Sequence, residues 1–424
     1  MDRFIGDLSS HTHQLKERSL PFGGVTLCYA PNHAPNHAHI DSDIDSDIDS
    51  DILRCDRYLR VHWRNFLKAL RSFDDYCEQR ASDDNDGDEL RTLRTLRMEE
   101  TWWLMKIELR KDLRDILEPV LATRRNLRSL ILDRNEFGRD GVLFLCNIIE
   151  TNSYLKEVSL FNNPVKDIGD LTRLCDAVSK HPSLEDLALG NIGLDDDEGK
   201  LSIILKASKN LKCLGLSGNC IGSRSAAAMF AKFLTANDNT TTMFLRDNDF
   251  SDESAYLFAL ALRNNKRLRL VDLRGNLFTQ LGRVTVLNTL FDPSSLTAVV
   301  ESNHTCVVYI DESNFDELGA INRKGFQEEN MHRKLFSALY ATTPGGRLGR
   351  LLNDIPLGLM PDLLAYLQDF YLDDIPRGMR KHAMESLHQH ALDDFDEAFS
   401  RQTTFTVVFE TLRNWNLPLL YTNI

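Results

Sequence analysis

At 424 residues, with 42% apolar and 27% charged side chains, the chain is large enough to bury an extensive core. A formal net charge of −13 argues against nonspecific nucleic-acid binding, which draws on surplus Lys and Arg to displace phosphate counterions. The eight cysteines show neither paired metal spacing nor the density of a disulfide scaffold, and no apolar run approaches the roughly 18 residues of a membrane span. The opening MDRFIGDLSSH lacks the apolar stretch of a signal peptide, so the expectation is an intracellular, cytoplasmic protein with reduced thiols and no membrane contact.

Residues 1–56 carry PNHAPNHAHI and three copies of DSDI, a composition that buries too little to offset ordering entropy. Disorder is expected there. His33, His37 and His39 have nothing to fix them as metal ligands.

Residues 57–126 read as a helical N-terminal cap. Leu59, Trp63, Phe66, Leu70, Phe73 and Cys77 recur at steps of four and three, and Trp102, Met105, Leu109, Leu113, Ile116 and Val120 continue a similar stripe. The acidic stretch Ser82 to Glu89 fails as a calcium loop, because Ser82 holds the first ligand place and Leu93 the twelfth.

Residues 127–306 repeat. Asn135, Asn163, Asn191, Asn219, Asn248 and Asn276 follow one another at 28 or 29 residues, in segments such as LRSLILDRNEF, LKEVSLFNNPV, LKCLGLSGNCI and LRLVDLRGNLF. Each matches L-x-x-L-x-L-x-x-N-x-apolar. Alternate Leu residues of a short strand point into a core, and the Asn amide can satisfy backbone groups that the following turn would bury. The Asn column is therefore assigned a structural role. LEDLALGNIGL comes one residue short before Asn191, which predicts a tighter turn there. Fourteen residues beyond each Asn stand Ile149, Ala177, Leu205, Phe233, Leu262 and Leu290, all apolar, so the second half of each unit reads as a core-facing helix.

These residues resemble the ribonuclease-inhibitor-like leucine-rich repeats. That resemblance implies an α/β solenoid, a horseshoe with a parallel concave sheet and convex helices, in about seven units. Residues 307–424, with NRKGFQEENMHRKLFSAL and PDLLAYLQDFYL, read as a mostly helical C-terminal cap or interaction module, and are similar, less specifically, to the ends of microalgal repeat proteins.

No chemistry-bearing motif emerges, so no catalytic residue, metal or cofactor is assigned. GLDDDEGKL has five residues between its glycines and no hydroxyl after Lys200, so it is not a phosphate loop. In each strand, residues between the Leu positions face the open side. Two such columns run Ile131, Ser159, Ala188, Gly215, Phe244, Asp272, Val300 and Asp133, Phe161, Gly190, Ser217, Arg246, Arg274, Ser302. Phe161, Phe244, Arg246, Asp272 and Arg274 are expected to form a contiguous cationic, aromatic-edged surface for another protein, as an acidic peptide or loop. The runner-up reading is an enzyme regulator resembling the Ran GTPase activators, with Arg134 as charge donor, although the acidic tail of that family is missing here.

Overall fold

In a computed structural model of the chain, the described residues are 24–28, 95–99, 117–123, 127–310 without Glu136, and 327–342, with isolated positions at 62–72, 125 and 321–322. The chain divides into two compact units, Met1–Asn219 and Cys220–Ile424. The fold class is α/β: a leucine-patterned strand, a turn and a helix recur throughout, as the periodicity requires.

In the first unit the strands β1 (Gly24–Cys28), β2 (Thr95–Glu99), β3 (Ser129–Ile131), β4 (Glu157–Ser159), β5 (Asp186–Ala188) and β6 (Cys213–Gly215) each pair in parallel with the next. From β2 to β6, the inward residues Leu96, Leu130, Val158, Leu187 and Leu214 are buried and in register. The helices α1 (Arg139–Thr151), α2 (Ile168–Lys180) and α3 (Glu198–Ala207) complete the repeats, and Asp167 and Asp197 cap the last two by accepting from Asp170 and Lys200 amides.

The second unit contains α4 (Arg224–Ala236), β7 (Thr242–Phe244), α5 (Asp252–Asn264), β8 (Leu270–Asp272), α6 (Gln280–Leu290), α7 (Leu296–Glu301), β9 (Val307–Tyr309) and α8 (Gln327–Thr342). β7, β8 and β9 run parallel in succession. Phe230, Phe250 and Phe258 form the densest part of this core, with edge-to-face contacts at centroid distances of 5.7 and 5.1 Å around Phe250. All six residues of the fourteen-residue column are buried.

Three expected boundaries shift. β1 falls inside 1–56, a segment expected to be disordered, and β2 falls inside 57–126, expected to be a helical cap. The repeating strand fabric therefore starts earlier than the asparagines announce. LRTLRME, from Leu93, carries the L-x-x-L-x-apolar spacing without the Asn, and Leu96 and Met98 are buried. The helical stripe survives at 117–122, where Leu117, Val120 and Leu121 are buried; Trp102 to Ile116 lie outside the described residues.

At the far end the repeats do not stop at residue 306. An extra helix, α7, intervenes, and the next strand is β9, where Tyr309 pairs with Asp272. Val300 therefore sits on α7 and Ser302 is its buried C-cap, neither on a strand face. Of the expected helical tail, 327–342 is helical and the remainder lies outside the described residues.

Candidate functional site

The asparagine column builds the frame. Asn135, Asn163, Asn219 and Asn248 are almost wholly buried, and Asn276 is half-buried. Asn163 donates from Nδ2 to Leu132 O at 2.8 Å, while its Oδ1 accepts from the Asn135 amide at 2.9 Å. Asn219 donates to Leu189 O at 2.8 Å and accepts from the Ile192 amide at 2.9 Å. In the second unit, Asn248 accepts from the Ile221 amide and Asn276 donates to Leu245 O. Each side chain satisfies a turn that would otherwise strand a carbonyl and an amide.

Asn191 departs from this column. It is exposed, holds a left-handed φ of 50°, and its amide bonds Asn162 Oδ1. Its structural equivalents are the left-handed residues Arg134, Asn162, Gly218, Asp247 and Gly275, each one place before a column asparagine. Ile192, fully buried, takes the column place. An isoleucine cannot accept there, so Val165 N donates to the Ile192 carbonyl at 2.8 Å and Asn163 N turns to Leu160 O at 3.2 Å. The turn that follows is longer, not tighter: Gly193, Asp195 and Asp196 all have positive φ before α3 begins.

A second ladder runs at the helix ends, and sequence reading missed it. Asn152 donates to Leu121 O, Asn265 to Leu234 O and Asn303 to Leu262 O, at 2.6 to 2.7 Å. Their side-chain oxygens accept from the chain two or three residues on, as at Leu268 and Cys306. Asn237 makes the same return contacts with Asn239 and Thr240 amides. His181 substitutes in the series, its Nδ1 accepting from Ser183 and Leu184 amides and Nε2 donating to Asn152 O at 2.7 Å. Burial lowers the His181 pKa below its usual 6.5. The available signal was Asn237 and Asn265, 28 residues apart and each directly after a helix.

The cap α8 closes this ladder through polar side chains. Lys334, fully buried, donates to Asn303 O at 2.8 Å and lies 3.2 Å from His304 Nδ1, and Asn330 donates to His304 O. Burial, with Arg333 and Lys266 adding to it, holds the Lys334 pKa well below the lysine range.

On the open strand face, the five expected contact residues fall into both units. Phe161, in the first, is half-buried, its ring lying across Gly190 so closely that no side chain fits at that glycine. Asp133 holds this region by accepting from Ser159 Oγ at 2.6 Å and the Phe161 amide at 2.9 Å.

In the second unit, Phe244 is 39% exposed. Asp272, its strand neighbour, is 3% exposed and takes Arg274 in a two-point grip, at 2.9 Å from Nε and 2.6 Å from Nη2. The Arg274 guanidinium also lies 5.3 Å from the Tyr309 ring centre. Arg246 donates from Nε to Asp247 at 3.0 Å. The two arginines are thus matched by two carboxylates, and the expected surplus of positive charge is balanced locally. Tyr309 is the residue that spacing missed, because α7 displaces its strand from the 28-residue rhythm.

Among the described residues the buried thiols Cys146 and Cys175, and half-buried Cys213, are pushed up by burial to about 11, 12 and 12, so they are protonated and poorly nucleophilic at neutral pH. No group of three or more His, Cys, Asp or Glu side chains among those residues is placed to hold a metal.

A family model described as "Leucine Rich repeat" matches residues 207–230, covering β6, its turn and the start of α4. A mouse ribonuclease inhibitor is 26% identical over 170 residues, covering 40% of this chain and 37% of that protein. The repeats are leucine-rich repeats of the ribonuclease-inhibitor kind. Human "NACHT, LRR and PYD domains-containing protein 5" is 26% identical over 216 residues, 43% of this chain and 18% of that protein. "Rho GTPase-activating protein gacW" of Dictyostelium discoideum is 27% identical over 164 residues, 37% of this chain and 14% of that protein. The chain therefore spans well under half the length of these relatives.

Proposed function

We propose that the protein is a non-catalytic interaction scaffold that binds another protein through the open face of its leucine-rich repeats. The observation that carries this reading is Phe244, an exposed phenyl ring on a strand face, beside the Asp272–Arg274 pair and one strand from its register neighbour. A solvated strand gains nothing from such a ring, whereas aromatic and Arg side chains dominate binding energy at interfaces. The similarity to a ribonuclease inhibitor, a protein named for what it restrains, supports the same class of function.

The partner segment we propose is an acidic peptide or loop that seats an apolar side chain on Phe244 and a carboxylate at Arg246. Arg274, mostly buried against Asp272 and Tyr309, shapes the surface; the pair of Arg246 with Asp247 is exposed and yields more readily, so Arg246 supplies the charge contact. Phe161, resting on Gly190, contributes a separate contact in the first unit.

The test compares the parent with Phe244→Ser combined with Arg246→Glu. Both are probed with an array of acidic, basic and neutral peptides, each with and without an aromatic residue, and with cell extract read by mass spectrometry. Acidic aromatic peptides, and a defined set of extract proteins, should bind the parent and fail to bind the variant at unchanged melting temperature. Equal retention by both proteins would remove the strand face from consideration.

A GTPase-activating role is the second reading, favoured by similarity to a Rho GTPase-activating protein, where the sequence had suggested the Ran activators. Arg134 is exposed on a left-handed turn whose amide donates to Phe161 O at 2.8 Å. Single-turnover hydrolysis with Ran and Rho-type GTPases, comparing the parent with Arg134→Ala, separates the readings. A scaffold leaves the rate unchanged.

A further inference from the structure

We propose that the outward face of α5 is a two-fold contact between two copies of this chain. The exposed positions of α5 are Glu253, Tyr256, Leu260, Arg263 and Asn264. The first four step by three, four and three residues, which places them within about 80° of arc on one side of a helix. Tyr256 is 59% and Leu260 48% exposed, the two large apolar residues of that stripe.

The corresponding faces elsewhere are polar or small, apart from Ile168 at the start of α2, which is 49% exposed. α2 shows Arg173, Asp176 and Ser179 outward, and α4 shows Ala228, Lys232 and Thr235. Beside α5, Leu281 at the start of α6 is 69% exposed and Leu277, in the preceding turn, 62%. Apart from Phe244 on the strand face, the large exposed apolar side chains among the described residues of the second unit are thus gathered at one place, and a gathered patch marks a contact where scattered residues do not.

The order of residues selects the occupant. The stripe reads acid, aromatic, aliphatic, base, and it is symmetric about Phe258. When a second copy lays its α5 antiparallel across the first, Tyr256 meets Leu260 of the second copy and Glu253 meets Arg263 of the second copy. The two-fold axis then repeats both contacts. A self-complementary patch of this kind is what an isologous dimer needs. Within one copy Glu253 lies 4.0 Å from Arg224, with side chains 68% and 76% exposed. An exposed pair at that distance is weak and yields readily to a partly desolvated one. One helix face with two flanking leucines buries less than the roughly 1,600 Å² of a standard stable complex, so the dimer is a micromolar one. This contact lies on the helices, away from the strand face, and stands or falls independently of the proposed function.

Sedimentation of the full chain from about 5 to about 300 µM tests it. The parent should shift from monomer to dimer across that range, and Tyr256→Ser with Leu260→Lys should weaken the association at least tenfold at unchanged melting temperature. Glu253→Arg and Arg263→Glu should each weaken it several-fold, and the double exchange should restore it. Crowding of Arg224 by the new arginine is common to the single and double variants, so restoration reports the intermolecular pair. A parent that stays monomeric overturns the proposal, as it would if another segment of the chain covers α5. Dimerisation that is indifferent to Tyr256 and Leu260, or an exchange that fails to restore it, overturns it too.

Discussion

Asn219 and Asn191 stand 28 residues apart in the same apparent column, yet one is buried in its turn and the other stands in solvent. Replacing Asn219 by Leu removes the donor to Leu189 O and Leu216 O and the acceptor for the Ile192 amide. The expected loss is about 1–3 kcal/mol for each buried group left unpaired, read from the urea midpoint at constant slope. Asn191→Gly should fall within about 0.5 kcal/mol of the parent, because glycine accepts the left-handed φ without strain and the hydrogen bond from the Asn191 side chain to Asn162 is open to water. If Asn191→Gly proved as costly as Asn219→Leu, the one-place register difference between them would be wrong. Spacing alone misled here because the repeats of 29 and 27 residues on either side of β5 average to the expected 28, and an asparagine happened to stand at the left-handed position. The apolar residue after it, Ile192, was the sign to read.

At the level of strands and helices, leucine spacing was the most legible feature, since burial of one strand face and one helix face leaves a strict pattern. Elements without that pattern were obscured: β2 has no asparagine, and β9 follows an inserted helix. Phe244 and Asp272 stand side by side in register on β7 and β8, as the repeat length requires, but the pairing of the charged side chains around them was not legible. Which carboxylate grips which guanidinium depends on side-chain direction, and spacing carries none.

The helix-end ladder gives this level its own prediction. Burial holds the folded pKa of His181 below that of the unfolded chain, whose value is near 6.5, and a proton on Nδ1 would also break the two bonds it accepts from backbone amides. In acid the unfolded chain then binds the extra proton. The contribution of His181 is complete above about pH 6.5 and declines as pH falls through the folded value. His181→Asn, which imitates Asn152 and Asn265, should flatten the fall in urea midpoint between about pH 7.5 and 5, and His181→Leu should destabilise at every pH. An identical pH slope in parent and His181→Asn would refute the assignment.

For the whole chain, the early start of the strand fabric changes what truncation should do. Deleting residues 1–56 takes β1 from β2 and leaves a row of strand amides and carbonyls without partners. The expected outcome is a melting temperature lower by several degrees and a greater tendency to associate, measured by calorimetry and light scattering. Deleting residues 1–20 alone spares β1 and should leave the melting temperature unchanged. An unaffected 1–56 deletion would make β1 dispensable.

The Nδ2 donors of both ladders point in one direction. Asn163 reaches to Leu132, Asn219 to Leu189, Asn276 to Leu245, Asn152 to Leu121 and Asn303 to Leu262, so each repeat spends its amide on the carbonyl of an earlier one. A nascent chain emerges amino-terminus first, at about 5–20 residues per second. Each of these carbonyls is therefore already in place when its Nδ2 donor leaves the ribosome, whereas the amides of Asn135, Ile192 and Ile221 wait for the Oδ1 of the next column asparagine. The carbonyls of Asn303, His304 and Cys306, at the end of the ladder, are met by Asn322, Asn330 and Lys334, which bring their donors last. For the Nδ2 donors, the direction of the hydrogen bond is the direction of synthesis.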